Sequence, residues 1–209
     1  MDGLDLKNRF NIVNIADKIK DYKVGIVPTD TLYALTGDAR SEEVAMRISN
    51  VKKRLPDKSF PVFVPSLNWL LKNGNFSYTD KETFLRLAST FWPGPLTIVS
   101  RFSFNFQLSE KVTSDDFVAL RVVSHPVIMK IFEEINFPII GTSANISGKI
   151  NPLSIDDIDK TLFNQVDFSI KGDLIYLTSS TVVRIEKGFE VLREGVIVGD
   201  VIRRALLKK

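Results

Sequence analysis

The sequence predicts an α/β fold built on a mixed parallel and antiparallel sheet. Three observations carry this expectation. Helix-period segments alternate with strand-length apolar segments through the first two thirds of the chain, the last third reads as strand after strand, and no apolar run is long enough to cross a membrane. At 209 residues the chain can bury one sizeable core, and no stretch has linker composition, so residues 1–209 are expected to form a single domain.

The elements follow in order. Within residues 6–22, Ile12, Ile15, Ala16 and Ile19 recur at helical spacing among Phe10, Val13, Asp17 and Lys20, and Val24 to Pro28 then reads as a buried strand. Ser41 precedes Val44, Ile48 and Val51, with Glu42 and Glu43 in the first turn where carboxylates favour the helix dipole. Phe60 to Val64 is strand-like and Leu67 to Leu71 a short helix. Thr79 and Glu82 have capping-box spacing ahead of Phe84, Leu87, Ala88 and Phe91, and Trp92-Pro93-Gly94-Pro95 ends that helix. Leu96 to Ser100 and Val118 to Val123 read as strands, and Pro126 opens a helix carrying Val127, Ile131 and Ile135. Phe137 to Gly141 is another strand, and Ser154 with Asp156 and Asp157 starts a short helix. Val166 to Ile170, Leu174 to Leu177, Thr181 to Ile185 and Phe189 to Arg193 follow as strands before a basic helix at Asp200 to Lys209.

Composition removes several function classes. Hydrophobic residues make up 44% and charged residues 25%, which fits neither a disordered chain nor a membrane protein. Met1 to Phe10 lacks the apolar core of a signal peptide, so a cytoplasmic protein is expected. Without cysteine there is no disulfide framework, thiolate nucleophile or cysteine metal site, and His125 alone makes no histidine metal centre. The net charge of +3 suits an anionic ligand but is too mild to imply a nucleic-acid groove.

Three segments have the residue types for chemistry. Pro28-Thr29-Asp30-Thr31-Leu32-Tyr33 follows a buried strand, where hydroxyls suit a small polar ligand, although an ordinary Asp/Thr turn has the same composition. Lys52-Lys53-Arg54-Leu55-Pro56-Asp57-Lys58 gathers four cations at a helix end. They match the charge of a triphosphate, yet cations also suit a helix carboxyl terminus as such. No Walker-type sequence is present, so a P-loop is excluded. Gly141-Thr142-Ser143-Ala144-Asn145-Ile146-Ser147-Gly148 offers neutral donors to phosphate or ribose, or forms a plain polar loop. Ser180, Thr181 and Arg193 add hydroxyls and a guanidinium at late strand edges. His125, between Ser124 and Pro126, is placed to start a helix, and the pairs Asp115-Asp116 and Asp156-Asp157 read as turn and cap residues.

In this order the segments resemble the YrdC/TsaC family of threonylcarbamoyl-AMP synthases, from about Val24 to Arg193. The matching positions are Pro28 to Thr31, Lys52/Arg54/Lys58, Trp92 to Thr97, Leu120 to Pro126, Ser143/Asn145 and Ser180 to Val182. The chain departs from the family pattern at Ala34 and Thr36, where glycines are usual, at Phe63, a histidine in some longer relatives, and at Ser179, often glutamate. The resemblance implies a twisted sheet flanked by helices with a large concave basic cavity. It places Thr31, Arg121, the backbone around Gly141 and Ser180 near threonine, and Lys52, Arg54, Lys58, Ser143, Asn145, Asn151 and Arg193 around ATP. It also implies Mg²⁺ with the nucleotide and no protein metal site.

The implied reaction joins L-threonine, bicarbonate and ATP into threonylcarbamoyl-AMP and pyrophosphate, for a downstream tRNA threonylcarbamoyl transferase, with contact to tRNA or RNA left open. A carbamate is already an anionic nucleophile and needs no general base. Catalysis then rests on positioning and charge stabilisation, with Lys52 and Arg54 as the catalytic cations. Two other readings are a YciO-like relative with a different substrate, a branch that often lacks the Ser-x-Asn loop intact here, and a non-catalytic RNA-binding protein of the same fold.

Overall fold

The computed structural model describes residues 6–55, 58–76 and 81–207, with side chains from residue 11 onward. Helix α1 (Leu6–Lys20) buries Ile12, Ile15, Ala16 and Ile19 along one stripe. The chain turns through Tyr22, at φ 58°, into β1 (Gly25–Pro28), which is buried throughout. β2 (Tyr33–Thr36) returns antiparallel with Tyr33 opposite Pro28, so residues 29–32 are the hairpin connection. The sequence signals only the turn, because all four β2 residues are buried and show no period-two alternation.

Helix α2 (Glu42–Lys52) is capped by Ser41, whose Oγ accepts from the Val44 N–H at 3.3 Å, and ends at Lys53 with φ 49°. Then come β3 (Val62–Phe63), α3 (Leu67–Lys72), β4 (Gly74–Phe76) and α4 (Lys81–Phe91). Glu82 lies in the first turn of α4, and its expected partner Thr79 lies outside the described residues. β5 (Leu96–Phe104) runs past Ser100 because Phe102 and Phe104 pack edge-on at 4.8 Å and extend the apolar face. β6 (Thr113–Ser114) and β7 (Phe117–Arg121) form a hairpin whose two turn residues, Asp115 and Asp116, both have positive φ, which asparagine and aspartate tolerate better than most residues.

Helix α5 (Pro126–Glu134), β8 (Ile139–Ile140), β9 (Thr142–Ser143), α6 (Lys160–Phe163), β10 (Phe168–Ser169), β11 (Thr181–Ile185), β12 (Phe189–Arg193) and α7 (Gly199–Leu207) complete the chain. Ser154 and Asp157 form a reciprocal capping box on a one-turn 3₁₀ helix at Ile155–Asp157. The mixed sheet is as expected. Strands β10, β1, β2 and β9 form one sheet in that order, with β1–β10 parallel and the other pairs antiparallel. The second runs β12, β11, β5, β7, β3, β8, with β11–β5 and β3–β7 parallel. Gly141 joins β8 of one sheet to β9 of the other.

Residues 174–177 are not a strand. Their apolar sequence has strand propensity, but the Ile175 and Tyr176 N–H groups donate to the Asp30 carbonyl at 3.2 and 2.9 Å, Leu177 has φ 53°, and all three side chains are exposed. Only Phe168–Ser169 of the expected 166–170 strand pairs with β1. Two apolar clusters fill the interior. One lies between the larger sheet and α2 and α4 around Ile48, Phe84 and Leu96, and the other beneath α1 and α5 around Ile19 and Ile131. Among the described residues no helix is long and apolar enough to cross a membrane.

Candidate active site

The β1–β2 connection is held by its own side chains. Thr29 Oγ1 donates to the Leu32 carbonyl at 2.6 Å and accepts from the Thr31 and Leu32 N–H groups, both at 3.1 Å. This fixes Thr31 and Asp30, both buried, at the strand end. Arg121, the last residue of β7, meets them there. Its Nη1 donates to Thr31 Oγ1 at 3.0 Å, its Nε to the Gly94 carbonyl at 3.0 Å, and its Nη2 pairs with the Asp30 carboxylate. Asp30 also accepts from Ser124 Oγ at 2.8 Å. The turn at Trp92 to Pro95 therefore supplies an acceptor that aims the guanidinium. Burial lowers the Arg121 pKa, with Asp30 opposing, and arginine keeps its charge under such shifts.

Two neighbours extend this cluster. Ser180, just ahead of β11, shares a 2.9 Å hydrogen bond with Thr97 of β5. Arg193, ending β12, donates to the Ser180 carbonyl at 3.0 Å and to its Oγ at 3.2 Å, and its charge is felt at Arg121. Gly141 lies on the other side, where a Cβ would come within 2.2 Å of the Phe63 ring. That close approach, with Arg121 5.8 Å above the same ring, is the physical reason for glycine at this position.

The Ser143-Ala144-Asn145 loop leaves β9 beside β2, and the Ala144 N–H donates to the Tyr33 carbonyl at 2.8 Å, two residues from Thr31. Lys52 is 2% exposed and its ammonium contacts the Ser143 carbonyl, the Asn145 carbonyl at 2.8 Å and Asn145 Oδ1 at 3.2 Å. Desolvation first, then the charge of Arg54, lowers its pKa to about 7. Arg54 is half-buried, donates to the carbonyls of Lys58 and Ser59 at 2.9 and 2.7 Å, and lies 4.7 Å over the Phe60 ring. Lys58 is exposed. Beyond the loop opens a cavity of about 420 Å³ walled by Asn145, Ile146, Gly148, Pro152, Asp157 and Asp159. Asn151 is half-buried next to that wall.

His125 is a helix cap, as its sequence position predicts. Its Nδ1 accepts from the Val127 N–H at 3.2 Å, which leaves the proton on Nε2, facing the Asp173 carbonyl at 3.0 Å. Burial lowers its pKa, so the ring is neutral at neutral pH. Replacement His125→Ala is expected to cost about 1 kcal/mol of stability, the scale of a lost cap, and to leave most turnover. A folded variant slowed more than about a hundredfold, the scale of lost acid-base catalysis, would identify a chemical role instead.

Asp30, Thr97 and Ser124 lie within segments singled out from the sequence, but sequence reasoning gave none of them a place in the cluster. Asp30 had a signal, an acidic residue inside a turn after a buried strand. For Thr97 and Ser124 the motif gave no partner, since each bonds a residue 83 or 94 positions away.

The family model for Sua5/YciO/YrdC, described as "Telomere recombination", matches residues 17–195. A Methanocaldococcus jannaschii relative is 31% identical over 182 residues, covering 86% of this chain and 83% of its own. The threonylcarbamoyl-AMP synthase of Vibrio vulnificus is 26% identical over 186 residues, covering 88% and 98%. Among solved structures, Pyrococcus abyssi Sua5 complexed with L-threonine superposes with a TM-score of 0.85 at 29% identity, over 95% of this chain. The chain spans 58% of the length of that protein.

Proposed function

The chain belongs to the Sua5/YciO/YrdC family, and on that premise we propose that it makes threonylcarbamoyl-AMP and pyrophosphate from L-threonine, bicarbonate and ATP, in the cytoplasm. One observation carries this reading beyond the family: the Thr31–Asp30–Arg121 cluster and the Ser143–Asn145 loop are tied to the same short strand, β2. An amino-acid site and a nucleotide site at those places adjoin, as a condensation of the two requires.

Threonine lies against Thr31, Ser180 and the backbone at Gly141, beside the Arg121–Asp30 pair, and Arg193 serves the nucleotide. The threonine amine attacks the carbon of bicarbonate-derived carbon dioxide and loses a proton, giving a carbamate. A carbamate oxygen then attacks the α-phosphorus, the bond to the bridging oxygen of the β-phosphate breaks, and pyrophosphate leaves. Arg54 and Lys58 face the phosphates, and the cavity beside Asn145 and Asn151 takes the nucleoside. Its volume falls within the range of ordinary ligand pockets. Among the described residues no three acidic or histidine side chains gather into a cation cage, so Mg²⁺ is expected to arrive on the phosphates and their waters. The product passes to a tRNA threonylcarbamoyl transferase.

The test is pyrophosphate release from ATP with threonine and bicarbonate omitted in turn. Turnover is expected only with both present. Release undiminished without threonine would end this assignment and favour a family member acting on another substrate.

A further inference from the structure

We infer that Lys52 is a positioning residue: its ammonium clamps the 143–149 loop into the wall of the nucleoside cavity, and it does not itself hold phosphate. The inference rests on the proposed nucleotide site and assigns one of its cations a different task from Arg54. Sequence spacing makes the two look equivalent.

The geometry distinguishes them. Three oxygens, the carbonyls of Ser143 and Asn145 and Asn145 Oδ1, lie within hydrogen-bond reach of Lys52 Nζ, matching the three donors of an ammonium. The backbone takes part too, since the Ser147 N–H donates to the Lys52 carbonyl at 2.8 Å. Inside the loop, Ser143 Oγ donates to Asn145 Oδ1 at 2.6 Å and Asn145 Nδ2 donates to the Lys149 carbonyl at 2.5 Å. Asn145 is the hub of these contacts and is also cavity wall. Turning Lys52 toward a phosphate would break all three contacts and leave two carbonyls without this donor, a cost that a phosphate contact has to exceed. Arg54 is half-buried and Lys58 exposed, whereas Lys52 is 2% exposed.

A pH signature follows. The Lys52 ammonium, lowered to about 7, predominates below that pH. Above it the neutral amine has two N–H donors for three acceptors and turns a lone pair toward one of them. The charged group acting on Lys52 is Arg54. Across the loop, Lys149 and Asp159 pair with each other at 3.3 Å, and Asp157 lines the far wall. Nucleoside affinity should therefore fall as pH rises through neutrality.

Adenosine separates the two roles because it fills the nucleoside cavity without phosphate. In equilibrium binding at about pH 6.5, Lys52→Met is expected to weaken adenosine and ATP by similar factors, about tenfold or more, as for loss of charged hydrogen bonds. Arg54→Ala is expected to weaken ATP and leave adenosine unchanged. Loss of ATP affinity with adenosine untouched in Lys52→Met makes Lys52 a phosphate ligand and overturns the inference, as does no change in either. If Lys52→Met fails to fold, the unmodified protein decides. Its adenosine affinity should drop between about pH 6 and 9, a range where adenine itself does not titrate and an unperturbed lysine hardly does, and a flat profile overturns the clamp. Threonine-dependent pyrophosphate release is read separately, so the clamp can stand where that reaction is absent. Protein that takes up no adenosine overturns the clamp and the cavity assignment together.

Discussion

Arg54→Ala is expected to lower pyrophosphate release about a hundredfold or more, with little change in the threonine KM. The reason is where charge develops. As the bond to pyrophosphate breaks, negative charge grows on the leaving oxygens, and a preorganised donor aimed there contributes at this scale. Arg54 is preorganised: two backbone carbonyls and the Phe60 face fix its guanidinium. Lys53 is the internal control. It is adjacent, exposed, and ends α2 in the left-handed conformation. Lys53→Ala removes the same formal charge from the same segment and should leave turnover near the unmodified value. Equal losses at 53 and 54 would describe a diffuse basic patch and strengthen the RNA-binding reading. Unchanged turnover in Arg54→Ala would remove its phosphate role.

The largest effect on stability is expected at Arg121. Replacement by methionine keeps much of the apolar stem but leaves the Asp30 carboxylate, which is fully buried, with only the Ser124 donors among the described residues. Breaking one side of a buried ion pair costs about 3–5 kcal/mol, a fall in melting temperature of roughly 6–20 °C at this chain length. Asp30→Asn combined with Arg121→Met removes both charges and should recover part of that loss, because the uncompensated carboxylate is gone. Thermal and denaturant unfolding of the two singles and the double measure the coupling. A loss below about 1 kcal/mol for Arg121→Met would show a pair worth no more than an exposed one.

Helices with strong local signals were legible from the sequence. Ser41 ahead of Val44, Ile48 and Val51, and His125 ahead of Pro126, specify α2 and α5 because cap and apolar period lie within a few residues of each other. The late hairpin of β11 and β12 was legible for the same reason. β2 and the 174–177 segment were not. A four-residue strand buried on both faces has no alternation to detect, and an apolar tetrapeptide becomes a strand only if another strand offers its edge, where here Asp30 offers one carbonyl.

Residue types and their spacing by themselves determined the fold class, the exclusion of thiol and P-loop chemistry, and the place of His125 at the start of α5. The tertiary structure alone decided which of those side chains meet and which are buried. Lys52 and Arg54 stand two residues apart with like charge, and no local pattern distinguishes them. One points into the 143–149 loop some 90 residues away and is desolvated there, while the other lies over Phe60 at the edge of the site. Desolvation and hydrogen-bond geometry depend on what the rest of the chain brings alongside, and those two quantities distinguish Lys52 from Arg54.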